Sequence, residues 1–156
     1  METRLMDKEL KIRKAIMNDA PAMTALHAEC FGIAKWSMGQ IADSLVLKTT
    51  LSPIAYEGKT IRGFLFCQVV RDEAEILTFC VDPATRRQGT GMLLLSGTIE
   101  AARRKKVKRM FIEVSVDNVA AVAMYEKAGF HKIGRRSGYY KQGGSNVDAV
   151  TMAFDF

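Results

Sequence analysis

Between Glu75 and Leu95 the chain reads EILTFCVDPATRRQGTGMLLL, and this stretch restricts the possible folds more than any other. Ile76 to Val81 is a short apolar run of residue types that strands favour. Asp82-Pro83 ends it, because proline has no N–H to donate and fixes its own φ. Arg86-Arg87-Gln88-Gly89-Thr90-Gly91 follows, and Met92 to Ile99 continues with helical apolar spacing. Strand, turn, Gly-x-Gly and helix together aim several backbone N–H groups at one anion. The first N–H groups of a helix have no internal partner, and the helix dipole is positive at that end. Gly89 and Gly91 carry no Cβ, so a phosphate can come close to the backbone. A phosphorylated cofactor is the expected ligand; an ordinary tight turn is the alternative that this stretch alone leaves open. A dinucleotide fingerprint would need glycine where Leu94 stands, and a Walker loop would need Gly-Lys-Ser/Thr, which is absent.

The length of 156 residues predicts a single domain over residues 1–156, with room for a substantial core. No apolar run approaches the ~20 residues that cross a bilayer. The charged start, METRLMDKELKIRKA, lacks the apolar centre of a secretory signal, so a cytoplasmic protein is expected. Cys30, Cys67 and Cys80 are an odd, scattered set, and only His27 and His131 stand beside them. They make neither a disulfide framework nor a metal site and read as buried apolar thiols. The net charge of +6 favours anionic partners. The densest basic run, Arg103 to Arg109, falls at the C-terminal end of an expected helix, where cations offset the dipole. It lacks the interleaved aromatics of a nucleic-acid surface, so direct nucleic-acid binding is not expected.

Taken in order, Lys11 to Ala15 reads as a strand, and Asn18-Asp19 with Pro21 starts a helix over Ala22 to Cys30. Phe31 to Trp36 is a loop, and Ser37-x-x-Gln40 is a capping box for a second helix ending near Leu47. Ile54 to Glu57 and Ile61 to Val70 are strands joined by a turn at Glu57-Gly58-Lys59. The second half alternates: a helix over Gln88 to Lys105, a strand over Arg109 to Val114, and a helix over Asn118 to Ala128 with Gly129 as its left-handed stop. Strands over His131 to Arg136 and Ala149 to Phe154 close the chain. Between them lies a long glycine-rich connection through Tyr139, Tyr140 and Gly143-Gly144. This is a mixed α/β sheet, antiparallel in its N-terminal half, with a parallel centre flanked by helices.

Glu113 sits on an apolar strand and faces opposite to Ile112 and Val114, either toward solvent or toward a site. Tyr125 lies in the following helix, where a core tyrosine is the ordinary reading. The combined run Glu113-Val114-Ser115, Asp117-Asn118-x-x-Ala121-x-x-x-Tyr125-Glu126-x-x-Gly129-Phe130, with Arg87-Gln88-Gly89-Thr90-Gly91 upstream, resembles the second half of a GNAT N-acetyltransferase domain. Arg135 to Tyr140 and Asp148 to Ala153 extend the likeness, and Lys35-Trp36-Ser37 adds to it near the front. The resemblance covers the last half of the chain well and the first half in outline.

That resemblance implies the GNAT fold and direct acetyl transfer from acetyl-CoA to a primary amine, without an acyl-enzyme and without a metal. Within the family it favours the branch acting on protein N-termini, with the N-terminal alanine of a small-subunit ribosomal protein as acceptor. It implies Glu113 as general base and Tyr125 as general acid. Phe79, Cys80 and Val81 would pair with the pantetheine arm and polarise the thioester. Arg87, Gln88, Gly89, Thr90, Gly91 and Met92 would hold the pyrophosphate, and Asn118 would touch the cofactor. A protein α-amine, with a pKa near ~8 against ~10.4 for lysine, asks less of a carboxylate base. Cys80 invites a nucleophile reading, but no histidine adjoins it in sequence, and it reads as packing. Lysine, polyamine or antibiotic amines are the alternative acceptors, and a non-catalytic acyl-CoA-binding module is the alternative class. The acceptor groove would be walled by the Phe31–Trp36 loop and the Arg135–Gly144 connection. Both depart from the resembled pattern, the first in having no proline immediately before Trp36 and the second in lacking the asparagine that commonly stands near Gly138.

Overall fold

The computed structural model describes residues 9–142 and 145–156 of the chain. Strand β1 (Leu10–Lys14) leads into helix α1 (Ala20–Phe31), where Pro21 fills a first-turn position that needs no N–H. Helix α2 (Met38–Val46) opens on the expected capping box. Gln40 N–H donates to Ser37 Oγ at 3.1 Å, and Ser37 N–H donates to Gln40 Oε1 at 2.8 Å. The short β2 (Thr50–Leu51) precedes β3 (Pro53–Glu57), β4 (Thr60–Val70) and β5 (Glu73–Val81), which form an antiparallel meander. The rest alternates as expected: α3 (Thr90–Arg104), β6 (Arg109–Ser115), α4 (Val119–Ala128), β7 (His131–Gln142) and β8 (Ser145–Asp155).

The strands form one mixed sheet in the order β1-β3-β4-β5-β6-β8-β7, with β2 added beside β4. The parallel centre is the single pair β5–β6, and the other described pairings are antiparallel. One expectation needs correction. The connection through Tyr139 and Tyr140 is not a loop, because β7 and β8 continue as a hairpin until Gln142 faces Ser145. Gly138 is absorbed as part of an irregularity between Arg136 and Tyr140, at φ 61°. Its N–H donates to an Asp148 carboxylate oxygen at 2.8 Å, while Arg135 takes the other oxygen at 2.7 Å. A carboxylate on β8 therefore satisfies the backbone that the irregularity takes out of the ladder. Gly143 and Gly144 lie outside the described residues.

Each face of the sheet has its own core. Leu95, Ile99 and Ala102 of α3 and Tyr125 of α4 pack with Ile76, Met110, Ile112, Val114 and Met152 on one face. Met23 and Leu26 of α1 and Ile41 of α2 pack with Ile54, Phe64, Phe66 and Cys80 on the other. Burying one such large apolar side chain contributes about 1.5–3 kcal/mol.

Gly129 ends α4 at φ 112°, a conformation that costs any other residue strain. A Cβ there would also stand 2.9 Å from Phe154 Cε2, which is itself packed in the core between Phe130 and Phe156. Gly129→Ala is therefore expected to lower unfolding stability by about 1–3 kcal/mol in urea titration. A loss under about 0.5 kcal/mol would mean that this corner can relax without strain.

Candidate active site

Strands β5 and β6 begin as neighbours and then part. Their parallel ladder holds only Glu73–Arg109, Ala74–Met110 and Glu75–Phe111. Just beyond, the β4–β5 register slips: Phe66 faces Thr78 and Cys67 faces Ile76, so Leu77 is the extra residue of a bulge. A bulge bends and twists its strand, and here it turns the rest of β5 away from β6. Strand β6 stays paired with β8 along its whole length. The result is a V-shaped split in the middle of the sheet. One edge of β5 over residues 78–81 has no strand beside it among the described residues, and so presents backbone groups to whatever enters the gap. Phe79, Cys80 and Val81, named from the sequence, lie along this edge.

The next elements build an anion cradle at the same end of β5. Arg87 and Gly89 adopt left-handed φ values of 67° and 85°. Gly89 is the N-cap of α3, and Leu93 N–H is the donor to Gly89 O. The N–H groups of Thr90, Gly91 and Met92 thus precede the first helical hydrogen bond. Arg86, Arg87, Gln88 and Gly89 are exposed, and nothing lies within 4 Å of where a Gly89 Cβ would be. This fits a phosphate. Gly91 works differently from the expectation: its missing Cβ makes room for Met124 Sδ, 3.0 Å from the Cβ position, so glycine there lets α4 approach α3. Asn118 caps α4 by accepting from Ala121 N–H at 3.2 Å, which leaves its amide nitrogen for a ligand.

Tyr125 and Glu113 approach the split from opposite faces of the sheet. Tyr125 is buried with the α3/α4 core, edge-on to Phe79 at 6.3 Å and to Phe130 at 5.4 Å. Burial pushes its phenol well above the ordinary range, so the neutral, proton-bearing form persists. Glu113 points away from its buried neighbours Ile112 and Val114, toward the face that carries α1 and α2. Its carboxylate is held there by Arg136 Nη1, which donates to Oε1 at 2.8 Å and Oε2 at 3.1 Å. The Arg136 guanidinium stacks on Tyr139 at 4.4 Å, and the Tyr140 hydroxyl donates to the Glu113 carbonyl at 3.3 Å. Reasoning from sequence gave these three residues no individual roles. Their signal was their presence in the matched stretch Arg135–Tyr140, but which one reaches Glu113 depends on the irregularity in β7.

His27 was also missed. It is buried on α1, accepts Trp36 N–H on Nδ1 at 3.0 Å, and therefore carries its proton on Nε2, which donates to Thr78 Oγ1 at 2.9 Å. Its ring stacks on Phe31 at 4.3 Å and Trp36 at 5.5 Å. One imidazole thus ties the 31–36 loop, expected as a groove wall, to strand β5. Cys80 is fully buried, and its contact with Cys30 together with burial pushes the thiol well up. That supports packing over nucleophilic chemistry. Among the described residues no cluster of His, Cys, Asp and Glu could hold a metal ion. No described helix is long and apolar enough to cross a membrane.

A mixed sheet split after a bulge, with a helix N-terminus at the mouth of the split, makes a slot for an extended ligand that carries phosphate. The chain belongs to the acetyltransferase (GNAT) family, whose profile matches residues 20–130. It is 39% identical over 91 residues to the [ribosomal protein bS18]-alanine N-acetyltransferase of Escherichia coli K12, spanning 58% of this chain and 62% of that relative's length. The Haemophilus influenzae protein of the same description is 34% identical over 122 residues, 78% of this chain and 82% of the relative. The crystal structure of the E. coli ribosomal-protein-S18-alanine N-acetyltransferase superposes with a TM-score of 0.89 at 29% identity, covering 94% of each chain.

His27 sets an expected pH dependence. Burial holds its imidazole below the ordinary range, while the unfolded chain protonates near pH ~6.5. Between those two pKa values the unfolded state binds more protons, so stability rises with pH there. The contribution is complete above about pH 6.5 and is lost as pH falls through the folded-state pKa. Asp19 and Asp148 are held below the ordinary carboxylate range, by Arg13 and by Gly138 N–H respectively, and so act only at lower pH. The urea midpoint should therefore fall between about pH 7 and pH 5, and fall less in His27→Gln. Equal slopes in the two proteins would remove His27 as the source.

Proposed function

We propose that this protein transfers the acetyl group of acetyl-CoA to the N-terminal amine of a protein, with the N-terminal alanine of a small-subunit ribosomal protein as acceptor. The carrying observation is the split between β5 and β6, with a buried, proton-bearing Tyr125 on one side and the Glu113 carboxylate on the other. The relatives' names support the acceptor class, and that class puts the reaction in the cytoplasm.

Direct attack makes three demands: a neutral amine, a polarised thioester carbonyl and a protonated leaving sulfur. Glu113 takes the ammonium proton, directly or through one water. The unpaired edge of β5 offers the N–H groups of Phe79 and Val81, with Cys80 between them turned to β4, to hold the extended arm of the cosubstrate and the developing oxyanion. Tyr125 gives its proton to the departing thiolate, and burial that disfavours the phenolate keeps the proton available at neutral pH. Arg87, Gln88 and Gly89, with the N–H groups of Thr90, Gly91 and Met92, hold the pyrophosphate. The Asn118 amide nitrogen adds a further contact.

Two short peptides test the acceptor, one with a free N-terminal alanine and one with that amine blocked and an internal lysine free. Transfer to the alanine terminus alone is expected. Transfer to lysine alone would move the assignment to side-chain amines. Failure with both peptides, while acetyl-CoA still binds, would favour small amines or a non-catalytic module. In the same assay Glu113→Gln should reduce turnover by about 10²-fold or more, with acetyl-CoA affinity within about two-fold of the parent. The loss should ease as pH rises and the amine deprotonates unaided. Parallel loss of binding and turnover would make Glu113 structural.

A further inference from the structure

The contact between Arg136 and Glu113 has an unusual form. An arginine facing a carboxylate commonly uses two nitrogens as a fork. Here a single nitrogen, Nη1, serves both oxygens, at 2.8 and 3.1 Å. A primary ammonium centred on a carboxylate makes the same contact. The Arg136 side chain is more than half exposed and that of Glu113 about one-quarter, so the cation lies on the more open side of the pair, the side from which the proposed acceptor would come. Its position is built rather than incidental. The β7 irregularity is fixed by Asp148 through Gly138 and Arg135, and the guanidinium lies on the Tyr139 ring at 4.4 Å. Tyr140, the next residue along, is bonded to the Glu113 backbone.

We propose that Arg136 is a positioning residue that occupies the place of the acceptor's ammonium group on Glu113 and is exchanged for it when the acceptor binds. The inference rests on the reading of Glu113 as the base. In the empty cleft the guanidinium keeps the carboxylate aimed at the acceptor side. An arriving cation takes over the same two oxygens, and Tyr139 retains the displaced guanidinium by stacking, a contact that does not depend on Glu113. The exchange trades one ion pair for another, so its cost is small, but it selects for acceptors that arrive as cations. A neutral amine or an uncharged nucleophile has no comparable means of displacing Arg136. The device therefore suits a charged protein N-terminus, which is bound as ammonium and deprotonated only in the cleft.

The test compares the parent with Arg136→Ala and Arg136→Lys, using a peptide with N-terminal alanine as acceptor. Arg136→Ala should lower the acceptor KM by about two- to five-fold, the range open to an exposed ion pair, while kcat changes less. Lysine restores a single-nitrogen cation, so Arg136→Lys should behave like the parent. Guanidinium ion, well below denaturing concentration, should raise the acceptor KM of Arg136→Ala back toward the parental value. An increased KM in Arg136→Ala would overturn the proposal, since Arg136 would then be binding the acceptor. An unchanged KM, or the same defect in both variants, would also overturn it. A second readout needs no turnover: alanine amide is titrated while the Glu113 side-chain carboxyl carbon is followed by NMR. The signal should respond at lower alanine amide concentration in Arg136→Ala than in the parent. Identical titrations would sink the exchange even if transfer occurs. Absence of transfer to any amine in the parent would remove the enzymatic reading, and this titration would still decide whether the two cations exclude one another.

Discussion

The structure depends on a sheet that is broken in the middle and yet stays rigid. Opening a ladder between two central strands leaves backbone donors and acceptors without strand partners, and such groups are costly unless something satisfies them. Strand β5 tolerates this because its other edge is paired with β4 from Gly63–Val81 to Val70–Glu73. Strand β6 tolerates it because β8 runs beside it from Arg109 to Ser115. Each side of the split is therefore anchored away from the gap. The Tyr125 ring, edge-on to Phe79, ties the two halves together on the α3/α4 face without closing the gap between their backbones. A fully paired sheet would gain hydrogen bonds and lose the slot.

Most of the architecture was legible because local chemistry and global fold agree along the chain. Ser37 and Gln40 cap α2, Asn118 caps α4 and Gly129 stops it, each as its residue type dictates. Gly89 shows the same agreement at the cradle, since the left-handed N-cap that it adopts suits glycine and leaves the following N–H groups free. The long β7–β8 hairpin was not legible. Glycines and aromatics around Tyr139 read as loop, and the residue that makes the segment a strand is Asp148, ten positions downstream and across the ladder from the irregularity it satisfies. A partner that far away leaves no local signal.

The candidate site divides the same way. Glu113 and Tyr125 could be named from the family resemblance of the run around them, but the resemblance did not say that they lie on opposite faces of the sheet. That follows from Tyr125 sharing a core with Ile112 and Val114 while Glu113, between those two on the strand, points away. The bulge at Leu77 was invisible too, because register is a property of two strands and not of one. His27 escaped notice for a related reason: a lone histidine on a helix becomes informative only when Thr78 and Trp36 arrive from elsewhere in the chain.

These placements give the two sides of the slot different character. On the side of α3 and α4 the groups are fixed by deep burial: Tyr125 is enclosed by aromatic rings, and Thr90 is buried where the helix begins. On the side facing α1 and α2, Glu113 and Gly138 are fixed at partial exposure by polar contacts to Arg136 and Asp148, and the 31–36 loop is tied down by the buried His27. Apolar packing has few alternative arrangements of equal energy, whereas exposed ion pairs and single hydrogen bonds exchange partners at little cost. A cosubstrate common to a whole family suits the first kind of wall, and the proposed acceptor, which arrives as a cation and leaves as a neutral amide, suits the second. The division of labour in the slot is thus a division between packing and exchangeable charge.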